Sequence, residues 1–315
     1  MILIVGGKDD PNIIGLVRRA SSCGVPHGAL LVGGDSRPRI LWDIAQDRLE
    51  INGSVVRPWA VFLRYDIFNH LRDGAPESQR QAARWYDTML SWVLAREDVA
   101  FFNRRYGTGR VTKPLLLHLA RSMGIAVPQT LVTNDRERLD GSRADRWIVK
   151  PVNGGEYTRV LADASGDEAW LRQFSSEPTI VQRRLDAPDL RIYRVGNHWF
   201  AFTLESEVVD YRVDNKVRIR PARATTDLVV PLARLMNHLG LDFGAADYKR
   251  SSETGEFLFL EVNSAPMFAS FDRVVGGAIS ERMIEWLTAA AEAPDRRIGS
   301  ARDLWFRNVP FWTTL

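Results

Sequence analysis

Apolar positions in the first hundred residues switch between two periods. Residues 2–5 form a short continuous apolar run closed by Gly6-Gly7, as a buried strand would be. Residues 12–22 then carry Ile13, Leu16, Val17 and Ala20 at helical spacing. Residues 29–32 give a second short run, closed by Gly33-Gly34, and residues 60–65 a third. Residues 77–96 place Ala82, Trp85, Met89, Trp92 and Val93 on one stripe and predict a long helix. Strands alternating with helices predict a small α/β layer with a mostly parallel sheet over residues 1–102.

The pattern then changes. Residues 112–123 predict a helix, with Pro114 in its first turn and Gly124 after its end. Residues 130–133, 147–151 and 179–184 read as strands, residues 167–174 as a helix, and Asn153-Gly154-Gly155 as a turn. These make a second unit, 103–186. A third, 187–315, opens with strands at 190–195 and 199–204 that meet at Gly196-Asn197. A helix at 227–239, strands at 244–250 and 257–262 and a helix at 278–291 follow. The last eleven residues gather Trp305, Phe306, Phe311 and Trp312, which read as a core cap or dimer contact rather than a ligand site. No internal repeat or heptad run interrupts this order.

Composition narrows the class. A chain of 315 residues favours two or three packed subdomains. With 45% hydrophobic and 26% charged residues it is neither disordered nor a disulfide-stapled miniprotein. A net charge of +3 demands neither a nucleic-acid nor a membrane partner, and no apolar run reaches membrane-spanning length. The apolar start is too short for a secretion signal, and the single Cys23 fits a reducing compartment, so a cytoplasmic protein is expected. Cys23 itself, beside Gly24, reads as buried rather than reactive. His27, His70, His118, His198 and His238 lack metal spacing, and His118 reads as a packing residue. The stretch after the first strand lacks the full G-x-G-x-x-G of a dinucleotide turn.

Three segments carry candidate chemistry. Alternation along residues 257–263 puts Phe257, Phe259, Glu261 and Asn263 on one face, and a hairpin with residues 244–250 would bring Asp247 beside Glu261 and Asn263. Two carboxylates and an amide oxygen suit Mg²⁺ carrying phosphate oxygens; the alternative is a salt-bridged strand end, for instance Glu261 with an arginine. Lysine is scarce beside arginine, occurring only at 8, 113, 150, 216 and 249. Lys113 opens a helix and Lys150 ends a strand before the Gly154-Gly155 turn, where an ammonium can meet phosphate oxygens; the alternative is two surface lysines. Residues 179–191 run from an apolar strand through Arg184-Leu185 to Asp189 and Arg191, either a nucleotide-binding hinge or a plain strand-turn-strand.

In combination these segments resemble the ATP-grasp superfamily, the fold of glutathione synthetase and D-alanine–D-alanine ligase, over about residues 103–287. The opening helix with Lys113 leads to Gly124, Ile125, Pro128 and Thr130 in a "G-I-x-x-P-x-T" exit, and WIVKPVNGGEYT resembles the second phosphate lysine and its glycine loop. Gln182 stands where many members have Glu, and Asp189 and Arg191 match a "D-x-R" pattern. The resemblance implies an α/β fold: an N-terminal pre-ATP-grasp α/β domain, 1–102, and two α+β subdomains that sandwich ATP, a central one at 103–186 and a C-terminal one at 187–315. It implies that Lys113, Lys150, Gly154, Gly155, Gln182, Arg184, Leu185 and Asp189 bind ATP. Asp247, Glu261 and Asn263 would hold two Mg²⁺, with Mn²⁺ able to replace them, and Arg191 would face the transferred phosphoryl group beside Lys150.

Residues 60–66, the long helix before Asn103 and residues 130–135 are similar to peptide-modifying members, the ribosomal-protein glutamate ligase and microviridin-type macrocyclases. That similarity extends a catalytic role to Arg212 and implies a peptide or amino-acid substrate; the aromatic tail, if a dimer contact, would make the chain a homodimer. The implied reaction joins a carboxylate to an amine or hydroxyl through an acyl phosphate, releasing ADP. A kinase on the same fold and an ATP-binding regulator without chemistry are the alternatives; a full metal set argues against the regulator.

Overall fold

The computed structural model describes residues 1–106, 111–139, 141–152, 158–205 and 217–292. Gly154, Gly155, Arg212 and the aromatic tail lie outside the described residues.

The first unit is the expected α/β layer. Strands β1 (Ile2–Gly7), β2 (His27–Val32), β6 (Ala60–Leu63) and β7 (Ala100–Phe101) form a parallel sheet in the order β2-β1-β6-β7. Every residue of β1 is buried because both faces are covered, which is why it reads as a continuous apolar run. Ile2 and Ile4 meet Ile13, Leu16 and Ala20 of α1 (Pro11–Ser22), while Leu3 and Val5 meet Met89, Trp92 and Val93 of α3 (Pro76–Leu94). Helix α1 starts where Asp10 accepts from the Asn12 N–H and Pro11 needs no partner. A meander of β3 (Ile40–Asp43), β4 (Arg48–Ile51) and β5 (Ser54–Val55) adds Leu49 and Ile51 to the α3 side, and α2 (Phe68–Asp73) follows β6.

Helix α4 (Lys113–Ser122) comes next. The central sheet contains β8 (Thr130–Thr133), β9 (Trp147–Pro151), β10 (Arg159–Val160) and, after α5 (Leu161–Ser165) and α6 (Glu168–Ser176), β11 (Thr179–Arg183). Its order is β10-β9-β11-β8, antiparallel, over a small core of Val149, Leu161, Ala164, Phe174 and Val181.

The third sheet is antiparallel, in the order β14-β13-β12-β15-β16. Its strands are β12 (Asp186–Val195), β13 (His198–Glu205), β14 (Arg218–Ala222), β15 (Phe243–Arg250) and β16 (Phe257–Asn263), with α7 (Thr226–His238) between β14 and β15. Helices α8 (Ala269–Val274) and α9 (Ala278–Glu292) follow. The β12–β13 turn needs Gly196: its φ is 57°, and a Cβ there would stand 2.5 Å from the Trp286 ring. One face of the sheet, with Leu190, Ile192, Ala246, Tyr248 and Phe259, is covered by α7 and by α4, which contributes Leu116, Leu117 and Ala120. The other face, with Tyr193, Val195, Phe202 and Ala245, joins α9 and the first unit in a shared core.

Two expectations fail on the surface. Cys23 caps the C-terminus of α1 and is exposed, because the stripe of that helix ends at Ala20. His118 is also exposed, since the buried stripe of α4 runs through Leu116, Leu117 and Ala120. No helix among the described residues is long and apolar enough to cross a membrane.

Candidate active site

Alternation along β12 and β15 divides one face of the third sheet. Tyr193, Val195 and Ala245 enter the shared core, whereas Asp189, Arg191, Asp247 and Lys249 line a cleft. Asp247 lies directly opposite Glu261, and Ala245 opposite Asn263. A bulge between Asp247 and Tyr248 changes the register, so that Tyr248 faces Phe259 and Leu260 is the extra residue. The strict alternation expected for residues 257–263 is therefore corrected. Phe259 is fully buried under α4 and α7, on the face opposite Glu261, while Leu260 joins Glu261 and Asn263 in the cleft.

The expected triad does come together. Asn263 Nδ2 lies 3.2 Å from Asp247 Oδ2 and 3.3 Å from Glu261 Oε1. Lys113 Nζ, at the start of α4, is 3.6 Å from Glu261 Oε2. Arg191 Nε is 3.6 Å from Asp247 Oδ1, and its guanidinium carbon lies 5.4 Å from the ring centroids of both Tyr193 and Phe271. No group of three His, Cys, Asp or Glu side chains suited to a metal occurs among the described residues. Two carboxylates with an amide between them nevertheless fit a hard divalent cation, since a half-turn of the Asn263 amide presents Oδ1 and completes three oxygen donors.

The central sheet supplies the opposite wall. Register sets Lys150 across from Ile180 and Gln182 across from Ile148, which puts both side chains on one face. Lys150 Nζ donates to Gln182 Oε1 at 2.9 Å, and Gln182 Nε2 donates to Thr130 Oγ1 at 2.8 Å. Gln182 is fully buried. A neutral amide in this place orients the ammonium without cancelling its charge, as a glutamate would. Leu185 is buried in the cleft wall; Arg184 is exposed, and its backbone N–H is held by Arg146 O at 2.8 Å.

The cleft encloses about 690 Å³, within the range of small-ligand sites, and runs on to Asn12, Arg64 and Phe68 of the first unit. At that end burial raises the Asp66 carboxyl above its ordinary value; backbone N–H groups of Asn69 and Phe68 pull it down, and Asp10 and Asp9 push it further up.

No protein-family model matches the sequence, and no curated protein does. Solved structures do match. The ATP-grasp ligase PsnB, complexed with minimal precursor, Mg and ADP, is 22% identical over 93% of this chain and 98% of its own, with a TM-score of 0.71. A RiPP-associated ATP-grasp ligase of Chryseobacterium gregarium, in complex with ADP and a leader and core peptide, is 21% identical over 95% and 99%, also at 0.71. The macrocyclase MdnC of Microcystis aeruginosa, bound with precursor peptide MdnA, is 18% identical over 92% and 100%, at 0.70. This chain has the ATP-grasp fold. Within it, Lys113, Lys150, Gln182, Arg184, Leu185, Asp189, Arg191, Asp247, Glu261 and Asn263 all line one cleft.

Two features of this ATP-grasp cleft escape the sequence reading. Lys249 Nζ lies 3.0 Å from Asp189 Oδ1. Alternation already puts Lys249 on the face of Asp247, but only the β12–β15 register, which sets Asp189 opposite Lys249, pairs the two. Arg64 and Asn12 reach the cleft from the first unit; Arg64 lies in the stretch 60–66 that the resemblance picks out, but no alternation or spacing places either side chain here.

Proposed function

We propose that this chain is an ATP-dependent, ADP-forming ligase that activates a carboxylate and couples it to an amine or hydroxyl on a peptide. The observation that carries this reading is the convergence of Lys113, Lys150, Arg191, Asp247, Glu261 and Asn263 on one cleft. The ADP, Mg and precursor peptides named for the similar ligases support ATP, Mg²⁺ and a peptide as its ligands.

Asp247, Glu261 and Asn263 would hold Mg²⁺, which neutralises charge on the β- and γ-phosphates. Lys113 and Lys150 would meet phosphate oxygens from the two walls, with Gln182 fixing the direction of Lys150. The hinge at Arg184-Leu185 would meet the base, Asp189 the ribose, and the Gly154-Gly155 turn would close over the phosphates. An oxygen of the substrate carboxylate attacks the γ-phosphorus while the bond to the ADP oxygen breaks. Arg191, backed by two aromatic rings, faces the charge on the transferred group. The amine or hydroxyl then adds to the acyl carbon, phosphate departs and the nucleophile loses its proton. Arg212 would serve the acceptor side. No protein nucleophile takes part, so the rate comes from positioning and charge.

Hydroxylamine tests this directly, because it captures an acyl phosphate as a hydroxamate. With ATP, Mg²⁺ and a peptide substrate, hydroxamate should form at the expense of coupled product. Lys150→Met should remove hydroxamate and ADP release together, and Glu261→Ala should slow both by roughly a hundredfold or more. ADP formation with a stable phosphorylated peptide and no hydroxamate would make the chain a kinase; ATP binding with neither ADP nor phosphate released would make it a regulator.

A further inference from the structure

Residues 264–269 follow directly on Asn263 and belong to no strand ladder, yet side chains hold almost every step of their backbone. Asn103 Nδ2 donates to Ser264 O at 2.9 Å and to Phe243 O at 2.8 Å, while its Oδ1 accepts from the N–H groups of Asp242 and Phe243 at 2.8 and 2.9 Å. Arg64 Nη1 donates to Ala265 O at 2.9 Å and Pro266 O at 2.8 Å. Tyr193 donates to Met267 O at 2.6 Å. Asn12 Oδ1 accepts from the N–H groups of Phe268 and Ala269, both at 2.7 Å. Asp10 ties the set together: it accepts from Arg64 Nε at 2.7 Å and from Asn12 Nδ2 at 2.6 Å.

Arg64, Asp10 and Asn12 come from the first unit, and Asn103 from the chain leaving it. Arg64 is 5% exposed and Asp10 fully buried. A buried ion pair is a poor source of stability, because taking two charges out of water carries a desolvation cost that can exceed their attraction. What a fully hydrogen-bonded buried pair does provide is one fixed arrangement of its partners. Here those partners are the carbonyls two and three residues beyond Asn263. Asn103 adds a second anchor, bridging the start of β15 and the exit of β16, the two strands that carry Asp247 and Glu261.

We propose that Arg64 is a positioning residue for the metal site. With Asp10, Asn12 and Asn103 it fixes residues 264–269, and so keeps Asn263 in register with Asp247 and Glu261. The first unit is then a scaffold of the metal centre as well as a wall of the cleft. This rests on the reading of the cleft as a site for ADP and Mg²⁺.

Calorimetric titration of ADP into the wild-type chain, Arg64→Lys and Arg64→Met, each in excess EDTA and in excess Mg²⁺, tests it. Wild type should bind ADP more tightly with Mg²⁺. Arg64→Met should lose roughly tenfold of that enhancement, since an ångström of misplacement can cost up to about a hundredfold at a reacting centre. Its metal-free ADP affinity should stay at the wild-type value. Arg64→Lys keeps the charge beside Asp10, and hence folding, but its single ammonium cannot span a carboxylate and two carbonyls; it should lose part of the enhancement and carries the test alone if Arg64→Met does not fold. Full Mg²⁺ enhancement in the folded Arg64 variants overturns the proposal. Equal weakening with and without Mg²⁺ also overturns it, because a general structural role would act on both. A wild-type chain whose ADP binding ignores Mg²⁺ overturns the reading of the cleft, and this proposal with it.

Discussion

Asp189 and Lys249 show how much of a site residue's behaviour is set by its partner. They meet at 3.0 Å with 14% and 12% of their side chains exposed, and both line the cleft. Truncating Asp189 to alanine would leave the ammonium of Lys249 without this carboxylate in a largely desolvated wall, which mixes a folding penalty with any loss of ligand contact. Asp189→Asn keeps the shape and an oxygen acceptor, so it is the cleaner probe of a ribose contact. Its KM for ATP should rise roughly tenfold with kcat little changed, as for a contact made equally in ground and transition states. Steady-state kinetics with ATP as the varied substrate checks this; an unchanged KM would place the ribose elsewhere. Residue types and spacing were enough to single out Asp247, Glu261 and Asn263, because each must face the cleft from a strand whose alternation is visible. Lys249, Arg64 and Asn12 were not legible, since their meaning depends on partners 60, 201 and 256 residues away in the chain.

At the scale of elements, the β15–β16 hairpin is where the site's geometry is decided. Its bulge turns Glu261 and Asn263 toward Asp247 while sending Phe259 into the opposite core. A period of two cannot reveal such a bulge, because one inserted residue inverts every position on one side of it. The same hairpin contains a close approach at Gly244. A Cβ built there would stand 2.9 Å from Asn263 O and 3.0 Å from the Met236 side chain. The methionine can give way, but the carbonyl is fixed in the backbone. Gly244→Ala should therefore push β16 away from β15 beside Asn263. We expect the Mg²⁺ concentration for half-maximal turnover to rise roughly tenfold, with destabilisation of about 1–3 kcal/mol from overpacking. A metal titration of activity beside urea unfolding checks both; a destabilised variant with the normal Mg²⁺ requirement would separate strand spacing from the metal site.

For the whole molecule, the three units are not equally anchored. The first and third share one large core, in which Ile2, Ile4 and Phe62 meet Phe243, Met283 and Leu287. Helix α4 precedes the central sheet in the chain but packs on the third sheet, with Leu116 and Leu117 against Leu190 and Leu232. An amphipathic stripe announces that a face is buried, not which sheet covers it, so chain order alone did not disclose this. Among the described residues, the central sheet has a small core of its own around Val149, Phe174 and Val181. Few buried apolar contacts mean a low free energy of local opening, so residues 130–133 and 179–183 should exchange backbone hydrogens faster than residues 190–195 and 243–249. A nucleotide that touches Lys150 on one wall and Asp247 and Glu261 on the other would tie the weak sheet to the strong one. Ligand present at about a hundred times its dissociation constant contributes about 2.7 kcal/mol to the state that binds it, and opening of the central sheet destroys half of this site. Hydrogen exchange read by mass spectrometry should thus show β8 and β11 slowed by Mg²⁺ and ADP together by up to about a hundredfold, and β12 and β15, whose opening destroys the same site, slowed by up to the same factor from an already slower rate. Equal rates in the two sheets without ligand, or protection confined to β12 and β15, would mean that the central sheet is not the weakly anchored wall of this cleft.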